Sequence, residues 1–369
     1  MSGRGEQSSA GGPAAGTGRA GLRPERARLR PGWQRVLPQR RFLAVWVALA
    51  LLLLVSFGAA PASLTSASLV AVAPFAVILA LAAVAQSLVI RCGGIDLSGP
   101  AVIGLSGALL LGFSDGLDAG VLLACCAVAL GAGLVGLGNG LLVAGFGLSS
   151  LVVTLAMGSV VGGLALWYQA HAVQASSVPP GLASFGAADL FGINLVVLAG
   201  ALVIALVSLL LQRTPAGRRF TAAGASPRAA RVAGLRAGRY QLSGYVAAAL
   251  LNGLTGVLLA AFLRNPTLRM GDGYLLSPIA AVVLGGASLA GGVGSVWATV
   301  GAALFLTQLD QLLRVLGSPS STQMILQGLA IAVGMALASA GAESPALRWW
   351  RRPGWFTRRQ STPVLEEGQ

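Results

Sequence analysis

The residue types that carry acid–base and nucleotide chemistry are scarce in this chain. Histidine occurs once, as His171, and all 25 lysine-plus-arginine positions are arginine. A phosphate-binding loop of the Gly-x-x-x-x-Gly-Lys-Ser/Thr type needs the lysine that is missing here. The three cysteines, Cys92, Cys125 and Cys126, lack the spacing of metal ligands. We therefore expect no catalytic residue, no metal site and no cofactor in this chain, so an ATP-driven process would need a separate ATPase subunit.

The polar residues that remain candidates lie inside or beside apolar stretches, where an unpaired polar group is costly. Asp96 can cap a helix, pair with Arg91 or contact a solute, and we favour the cap. Asn139, Thr154 and Ser288 can hydrogen-bond either a hydroxylated solute or a neighbouring helix. Because an ion or proton relay would need several buried ionisable groups, the pattern favours a path for a neutral solute.

Glycine is the other informative residue, with 52 in 369 positions, many of them paired or clustered. Examples are Gly93-Gly94, Gly285-Gly286 and the run from Gly131 to Gly147. In a membrane, glycine lets helices approach closely, and it permits broken backbone where that backbone lines a cavity. The sequence alone leaves both interpretations open.

The elements that must position these residues follow from the composition. The chain is 55% hydrophobic and only 10% charged, with a mean hydropathy of +0.79, whereas soluble domains carry about 25% charged residues. Its apolar stretches are long and continuous rather than alternating at every second residue, which argues against a β-barrel. We expect an all-α, polytopic membrane helical bundle of about ten transmembrane helices, at about 20 residues a span.

The expected spans are long apolar windows between residues 42 and 340. They are 42–60, 67–90, 98–113, 119–143, 149–168, 193–212, 242–263, 275–290, 296–315 and 321–340. The first is interpreted as an uncleaved span, because it is longer than the apolar part of a typical signal peptide. Residues 1–41 are expected to be a disordered basic arm, and residues 341–369 a basic, aromatic tail that meets membrane lipid.

The arginines give the orientation. With the N-terminus placed in the cytoplasm, 22 of the 25 arginines fall on the cytoplasmic side, and only Arg264, Arg269 and Arg314 fall outside. Cytoplasmic segments of membrane proteins carry such an excess. We therefore expect both termini in the cytoplasm. The net charge of +14 then needs no nucleic-acid partner to explain it.

The loop over residues 213–241 is the sharpest local feature, with seven arginines and no acidic residue. Ser226 is a good N-cap, Pro227 a favourable first helical residue and Gly234 a natural stop. The spacing predicts a helix of about two turns, which would be unstable alone in water. A solvated basic loop explains the arginines but not the caps. We therefore favour a helix that docks on an acidic groove of another protein.

Several motifs, in order along residues 42–340, resemble the permease subunits of bacterial ABC importers of the ribose and monosaccharide class. The segment 93–98 (Gly-Gly-Ile-Asp-Leu-Ser) is similar to the family's hallmark at the junction of the second and third spans. Residues 139–142 and 151–155 are similar to its central segment, and residues 279–295 to its C-terminal signature.

The loop of residues 213–241 is also similar to the family's large cytoplasmic loop, which implies that it couples to the ATPase. The matching positions are Gly217, Arg218, Ala223, Gly224, Ser226, Pro227, Ala229, Ala230, Arg231 and Gly234. Candidates for the translocation path lie in the other motifs: Gly93, Gly94, Asp96, Ser98, Asn139, Thr154, Gly285, Gly286 and Ser288. The chain departs from the family pattern at Cys92 and at Gly99-Pro100, where threonine and Val-Gly are usual.

The resemblance implies the transmembrane permease subunit of an ATP-driven importer for a monosaccharide such as ribose, and not an enzyme. It also implies a location in the bacterial inner (plasma) membrane. It also implies three partners: a cytoplasmic ATPase that binds the ATP, an extracytoplasmic substrate-binding protein, and a second permease copy in a homodimer or heterodimer. A permease for nucleosides or other small polar solutes stays open as an alternative, as does an ion-coupled secondary transporter.

Overall fold

The computed structural model describes residues 37–319 and, beyond them, residues 321, 322, 325, 326, 328, 329 and 332. The part from Pro38 to residue 319 lies in one compact unit. Within the described residues the α-helices are α1 Leu37–Ala59, α2 Ser66–Arg91, α3 Gly99–Ser114, α4 Val121–Gly140, α5 Ser150–Ala172, α6 Pro180–Ala187, α7 Leu195–Arg213, α8 Pro215–Ala225, α9 Pro227–Val232, α10 Ala237–Leu263, α11 Ser277–Leu284 and α12 Val296–Val315. A small antiparallel hairpin pairs β1 Asp189–Leu190 with β2 Ile193–Asn194.

Seven helices in the described part of the chain are long and apolar enough to cross a membrane. They are α1, α2, α4, α5, α7, α10 and α12, and each falls on an expected span. Helix α3 falls on the expected third span, but its 16 residues cover only about 24 Å, less than a full crossing. The prediction of an all-α, polytopic membrane bundle is confirmed.

Polar side chains begin several of these helices. Thr65, Asn194 and Ser295 stand just before α2, α7 and α12, and each side chain accepts a hydrogen bond from a backbone N–H of the first helical turn. Such caps satisfy N–H groups that have no partner inside the helix. These three capping residues therefore determine where the helices of these apolar segments begin.

Helix α10 lies at the centre of the bundle, with α2, α3 and α4 packed around it. Tyr245, Ala248 and Leu259 of α10 are buried. Helix α3 approaches α10 at Gly256, where a Cβ would lie 2.7 Å from the carbonyl oxygen of Ile103. Helices α1, α5 and α7, by contrast, expose large leucine and valine side chains, as expected for helices that face lipid or another membrane subunit.

The eighth expected span, 275–290, is wrong as a continuous helix. After α10 the chain forms a 3-10 segment, Leu268–Tyr274, and then the eight-residue α11, followed by non-helical turns up to Ser295. The apolar composition of residues 275–290 shows that the segment is buried, but it does not show that the segment is one continuous helix. Pro278 lies in the first turn of α11, where proline is tolerated, and the helix stops at Gly285, before Gly286 with its φ of 79°. Backbone of this kind is tolerated at membrane depth only when it is buried in protein or lines a cavity.

The connecting segments gather at two ends of the bundle, as alternating spans require. At one end the N–H of Gly292 donates to the carbonyl oxygen of Arg91 at 2.8 Å, beside the loop of residues 213–241; we call this the arginine end. At the other end the N–H of Val178 donates to the carbonyl oxygen of Arg264 at 2.9 Å. This second end carries β1 and β2, and we call it the hairpin end.

Three predictions concern segments that the structure describes little or not at all. Residues 1–36 of the expected basic arm, 1–41, lie outside the described residues. The last five residues of the expected arm belong to α1, which begins at Leu37. The expected tail, 341–369, lies wholly outside them. The expected tenth span, 321–340, is described at only a few positions.

Candidate functional site

The arginine end is built from a capped helix pair. The Ser226 side chain accepts a hydrogen bond from the N–H of Ala229 at 3.3 Å and caps α9, and Pro227 is the first helical residue. Gly234 follows α9 with a φ of 77°, a left-handed conformation that ends helices and favours glycine. The predicted two-turn helix between Ser226 and Gly234 is confirmed.

Helix α8, which precedes it, has one buried face. Gly217, Phe220, Ala223 and Gly224 are buried against the bundle. The N–H of Gly217 is capped by the Thr214 side chain at 3.1 Å. Helix α8 is therefore held to the transmembrane helices along its length.

The outer face of the helix pair is basic. All seven arginines of the loop are exposed: Arg213, Arg218, Arg219, Arg228, Arg231, Arg236 and Arg239. Val232, at the end of α9, is 92% exposed, whereas Ala230 is buried and Ala229 exposed. The pair thus presents a positive surface with an apolar tip.

A groove of about 540 Å³ runs beside α9 at this end. One wall is the turn from Arg231 to Arg239, and the other is the end of α4 with the wide turn Leu141–Gly145 that follows it. Arg231 and Arg236 are both exposed and lie on its lining. An acidic segment of another protein would find cationic side chains here.

Glycines join α8 to the transmembrane helices. A Cβ on Gly224 would collide with the carbonyl oxygen of Arg91, and a Cβ on Gly292 would collide with the backbone of Ala225. Gly292 also has a φ of 75°, and its N–H donates to the Arg91 carbonyl. The end of α8, the end of α2 and the turn before α12 therefore meet at one point, which we call the glycine junction (Arg91, Gly224, Ala225, Gly292).

Cys92, next to the junction, is a packing residue. Its thiol lies 3.9 Å from the carbonyl oxygen of Tyr240, and a Cβ on Gly244 would lie 3.2 Å from its sulfur. Burial raises the pKa of Cys92 to about 12, so the thiol stays protonated and unreactive at neutral pH.

Asp96, one of the path candidates, lies in a buried hydrogen-bond network. Its Oδ1 accepts from the N–H and the hydroxyl of Ser98 at 2.8 and 2.6 Å, and Asn139 donates to the Ser98 oxygen at 2.9 Å. Gln86, oriented to satisfy both groups, pairs with the N–H and carbonyl of Asp96. Asp96 thus fixes Ser98, the residue before α3. It does not cap the helix as predicted, because Ser98 holds the cap position and its side chain binds no helical N–H. Within the described residues no ion pair joins Asp96 to Arg91.

The non-helical segment that leads to Asp96 is held by α5. Thr154, another candidate, accepts from the N–H of Leu97 at 3.0 Å, and Ser150 accepts from the N–H of Ile95 at 3.2 Å. Gly94 is buried under α10, because a Cβ there would collide with the Tyr245 hydroxyl. The side chains of Ser150 and Thr154 thus supply hydrogen-bond partners for backbone N–H groups that no helix satisfies.

The remaining path candidates lie elsewhere. Gly93 is exposed at the arginine end, and Gly285 packs against the start of α12. Gly286 has a φ of 79° in the turns that follow α11. Ser288 lies in the same turns, and its N–H donates to the carbonyl oxygen of Val293 at 3.0 Å. The nine candidates therefore form a network around α3 and a set of turns at the arginine end, and not one lining.

Sequence reasoning missed Gln86, Ser150 and Tyr245, which contact this network, and Asn252, whose amide lies beside Gly99 at the start of α3. Gln86 and Asn252 are buried polar residues inside long apolar helices, which is a signal that was available. Ser150 and Tyr245 carried no such signal, since their roles arise only from contacts distant in sequence. A second missed feature, the exposed ion pair of Arg269 and Asp272, lies in the 3-10 segment that precedes α11.

Comparison with protein families gives a match over most of the chain. Residues 68–334 match the family described as the branched-chain amino acid transport system / permease component. The matched region contains α2 from its third residue and all the helices from α3 to α12, with the glycine junction and the network around Asp96.

Similar curated proteins are bacterial permeases. The ribose import permease protein of Bacillus subtilis is 33% identical over 262 residues, 70% of this chain and 80% of that protein. A probable ABC transporter permease protein of Sinorhizobium fredii is 33% identical over 322 residues, 86% of this chain and 94% of that protein. The L-arabinose ABC transporter permease protein of Azospirillum brasilense is 30% identical over 247 residues, 67% of this chain and 72% of that protein.

No solved structure matches the chain. The family match and the relatives agree with the motifs at residues 93–98 and 279–295 and with the membrane-spanning helices. The chain therefore belongs to the family of bacterial ABC importer permease components that spans residues 68–334.

Proposed function

We propose that this chain is the permease subunit of an ATP-driven importer that carries a monosaccharide such as ribose or arabinose across the bacterial inner membrane. The observation that carries the proposal is the glycine junction. It connects an exposed, arginine-rich helix pair to the ends of two transmembrane helices. The cargo class is supported by relatives named as ribose and L-arabinose permeases.

The ATPase contact is assigned to α9 and its groove. An acidic groove on a cytoplasmic ATPase would receive α9, with Arg231 and the exposed Val232 at its centre. Because α9 is capped at Ser226 and stopped at Gly234, it is preformed and loses little entropy on docking. The chain needs no catalytic residue for this role, since ATP is bound and hydrolysed by the partner.

Motion would pass from α9 through α8 to the glycine junction. Gly224 contacts the carbonyl of Arg91 with no side chain between them, so a shift of α8 moves the end of α2 and the segment that follows it. That segment ends at Asp96 and Ser98, which start α3. A rigid-body shift of α3 against α10 would then alternate access to the path.

The remaining partners and the orientation belong to the same proposal. A second permease copy completes the path, and an extracytoplasmic binding protein delivers cargo to the hairpin end. The arginine end and both termini then lie in the cytoplasm. This orientation follows the excess of arginine on one side.

Reconstitution tests the proposal. We expect proteoliposomes that contain this chain, its ATPase and its binding protein to take up D-ribose or L-arabinose only when ATP is supplied on the ATPase side. An ATPase variant that binds but does not hydrolyse ATP is the control and should abolish uptake. Uptake that persists without the ATPase, driven by an ion gradient, would identify a secondary transporter instead.

One observation favours a wider set of cargoes. An autoinducer 2 import system permease protein of Photorhabdus laumondii is 28% identical over 287 residues. Small hydroxylated solutes other than sugars, including nucleosides, are therefore tested in the same assay by competition with labelled ribose and arabinose.

A further inference from the structure

A charged pair lies on the broken crossing between α10 and α11. The Nε of Arg269 and a carboxylate oxygen of Asp272 are 2.9 Å apart, and their side chains are 89% and 59% exposed. Both belong to the 3-10 segment Leu268–Tyr274. The sequence places Arg269 in an external loop, so the depth of this segment decides what the pair can do.

Contacts with α3 give the depth from the hairpin end. A Cβ on Gly104 would collide with the carbonyl oxygen of Leu268, and a Cβ on Gly271 would collide with the carbonyl oxygen of Pro100. Gly104 and Pro100 precede Ser114, the last residue of α3, by about 15 and about 21 Å of helix. The segment therefore descends along α3 far below the hairpin end.

Contacts with α5 and α10 give the depth from the arginine end. The Cβ position of Gly158 lies 3.4 Å from the carbonyl oxygen of Leu97, about 12 Å along α5 from Ser150. The Cβ position of Gly99 lies 2.9 Å from the amide nitrogen of Asn252, about 22 Å along α10 from its first residue. The start of α3, against which the 3-10 segment packs, thus lies near the middle of the bundle.

An exposed ion pair at this depth does not face hydrocarbon. Charged side chains inside membranes face the protein interior or a water-filled cavity, and non-helical backbone at that depth obeys the same restriction. We propose that Arg269 and Asp272 line a water-filled translocation path and contact the cargo inside it. This assignment rests on the proposed import function.

The chemistry of the pair suits a neutral, polyhydroxylated cargo. The carboxylate of Asp272 accepts hydrogen bonds from hydroxyl groups, and the guanidinium of Arg269 donates them in a planar fork. Because the two charges cancel, the pair gives the path no net attraction for cations or anions. The segment that carries the pair also touches α3 at Gly271, so a shift of α3 would move the pair.

Cysteine labelling tests the placement without any transport. Asp272→Cys and Arg269→Cys are made in full-length protein, assembled with its ATPase, in which Cys125 and Cys126 are replaced by alanine. Leu130→Cys, on the 65% exposed position of α4 at a similar depth, is the lipid-facing control. Phe191→Cys, 95% exposed on the hairpin, is the outer-surface control.

Two reagents separate the possible locations. A small charged methanethiosulfonate should modify the cysteines at 269, 272 and 191 but not at 130. A polyethylene-glycol maleimide too large for a membrane cavity should modify only the cysteine at 191. Modification at 269 and 272 by the large reagent would place the pair on the outer surface and overturn the proposal. Silence towards both reagents, as at 130, would overturn it as well.

Cargo contact is tested by protection and by uptake. With the binding protein and saturating D-ribose or L-arabinose present, the rate of labelling of the cysteine at 272 should fall about tenfold. In a separate uptake assay, Asp272→Asn and Arg269→Gln should each lower maximal uptake about tenfold. The stimulation of ATP hydrolysis by loaded binding protein should stay. Gly58→Ala in α1, where no atom lies within 4 Å of the Cβ position, should have no effect. Unchanged labelling and uptake would refute the contact. Absence of uptake by the unsubstituted protein would instead contradict the import function and leave the labelling test standing.

Discussion

The backbone N–H of Gly292 donates a hydrogen bond to the carbonyl oxygen of Arg91 at 2.8 Å. Arg91 ends α2, and Gly292 lies in the turn before α12, so one bond ties together two helices that are distant in sequence. The same carbonyl is covered by Gly224 of α8. A movement of α8 therefore reaches both helices through backbone contacts, without a flexible side chain to absorb it.

Gly292→Ala should uncouple the helix pair from the bundle. The new Cβ would meet the backbone of Ala225 at a φ of 75°, and the clash with the left-handed strain should cost about 2 kcal/mol or more. We expect ATP-driven uptake to fall at least tenfold with membrane insertion retained. Gly58→Ala in α1 is the control, because no atom lies within 4 Å of its Cβ position. Equal uptake by the two variants would show that the junction transmits nothing.

Arg231→Glu should weaken ATPase binding. The exposed guanidinium lies on the groove beside α9, and reversing a charge that faces an acidic partner lowers affinity by about tenfold or more. Co-purification and a binding titration measure the effect. Arg264→Glu at the hairpin end should leave ATPase binding unchanged. Equal loss in both variants would point to general misfolding and contradict a docking role for α9.

Gly234→Pro should also weaken ATPase binding, but for a different reason. Proline cannot adopt the φ of 77° found at this position, so the turn after α9 must change. ATPase association should fall while the protein still enters the membrane, as followed by co-purification from washed membranes. Normal assembly with the ATPase would refute the docking assignment.

Ser226→Ala should destabilise α9 alone. The Ser226 hydroxyl caps the N–H of Ala229 at 3.3 Å, and losing such a cap costs about 1 kcal/mol. Hydrogen exchange at residues 229–234 should accelerate about fivefold, with no change in α10. Ser226→Asn restores a capping group and should restore slow exchange. If the alanine and asparagine variants exchange alike, the cap does not hold α9.

Asp96→Ala should lower the thermal stability of the purified protein. It would leave the buried N–H and hydroxyl of Ser98 without their acceptor, at a cost of about 1–3 kcal/mol. Asp96→Asn keeps a carbonyl acceptor at the same place and should lose less. Asp189→Ala on the exposed hairpin is the matched control. A melting temperature that ranks Asn below Ala would contradict a structural role for the carboxylate.

Local signals in the sequence predicted local structure well. Ser226, Pro227 and Gly234 define α9 because a cap, a first-turn proline and a left-handed stop act within one or two helical turns. Seven of the ten predicted apolar windows coincide with long helices in the described residues for the same reason, since a membrane span is a property of consecutive residues. The predicted cap of α3 by Asp96 was less accurate, because Ser98 holds the cap position and Asp96 binds Ser98 instead.

Long-range contacts set the limits of that reasoning. Gly224 packs on the carbonyl oxygen of Arg91, and Thr154 accepts a hydrogen bond from Leu97. Each contact joins residues that are distant in sequence, and no periodicity in the sequence predicts it. The eighth span failed because hydropathy does not distinguish a buried broken segment from a helix. The glycines of residues 285–292 were noticed, but their role as a contact for α8 required the packed bundle.

The network around Asp96 has a consequence for biogenesis. The segment 92–98 is made before Asn139, Ser150 and Thr154, which supply its hydrogen bonds. When α2 and α3 leave the ribosome, the N–H groups of Ile95 and Leu97 lack the side chains that accept from them in the folded protein and cannot enter lipid at low cost. The α2–α3 pair must therefore wait in a wet environment at the insertion machinery until α5 is synthesised, so the first half of the bundle assembles as one unit rather than helix by helix.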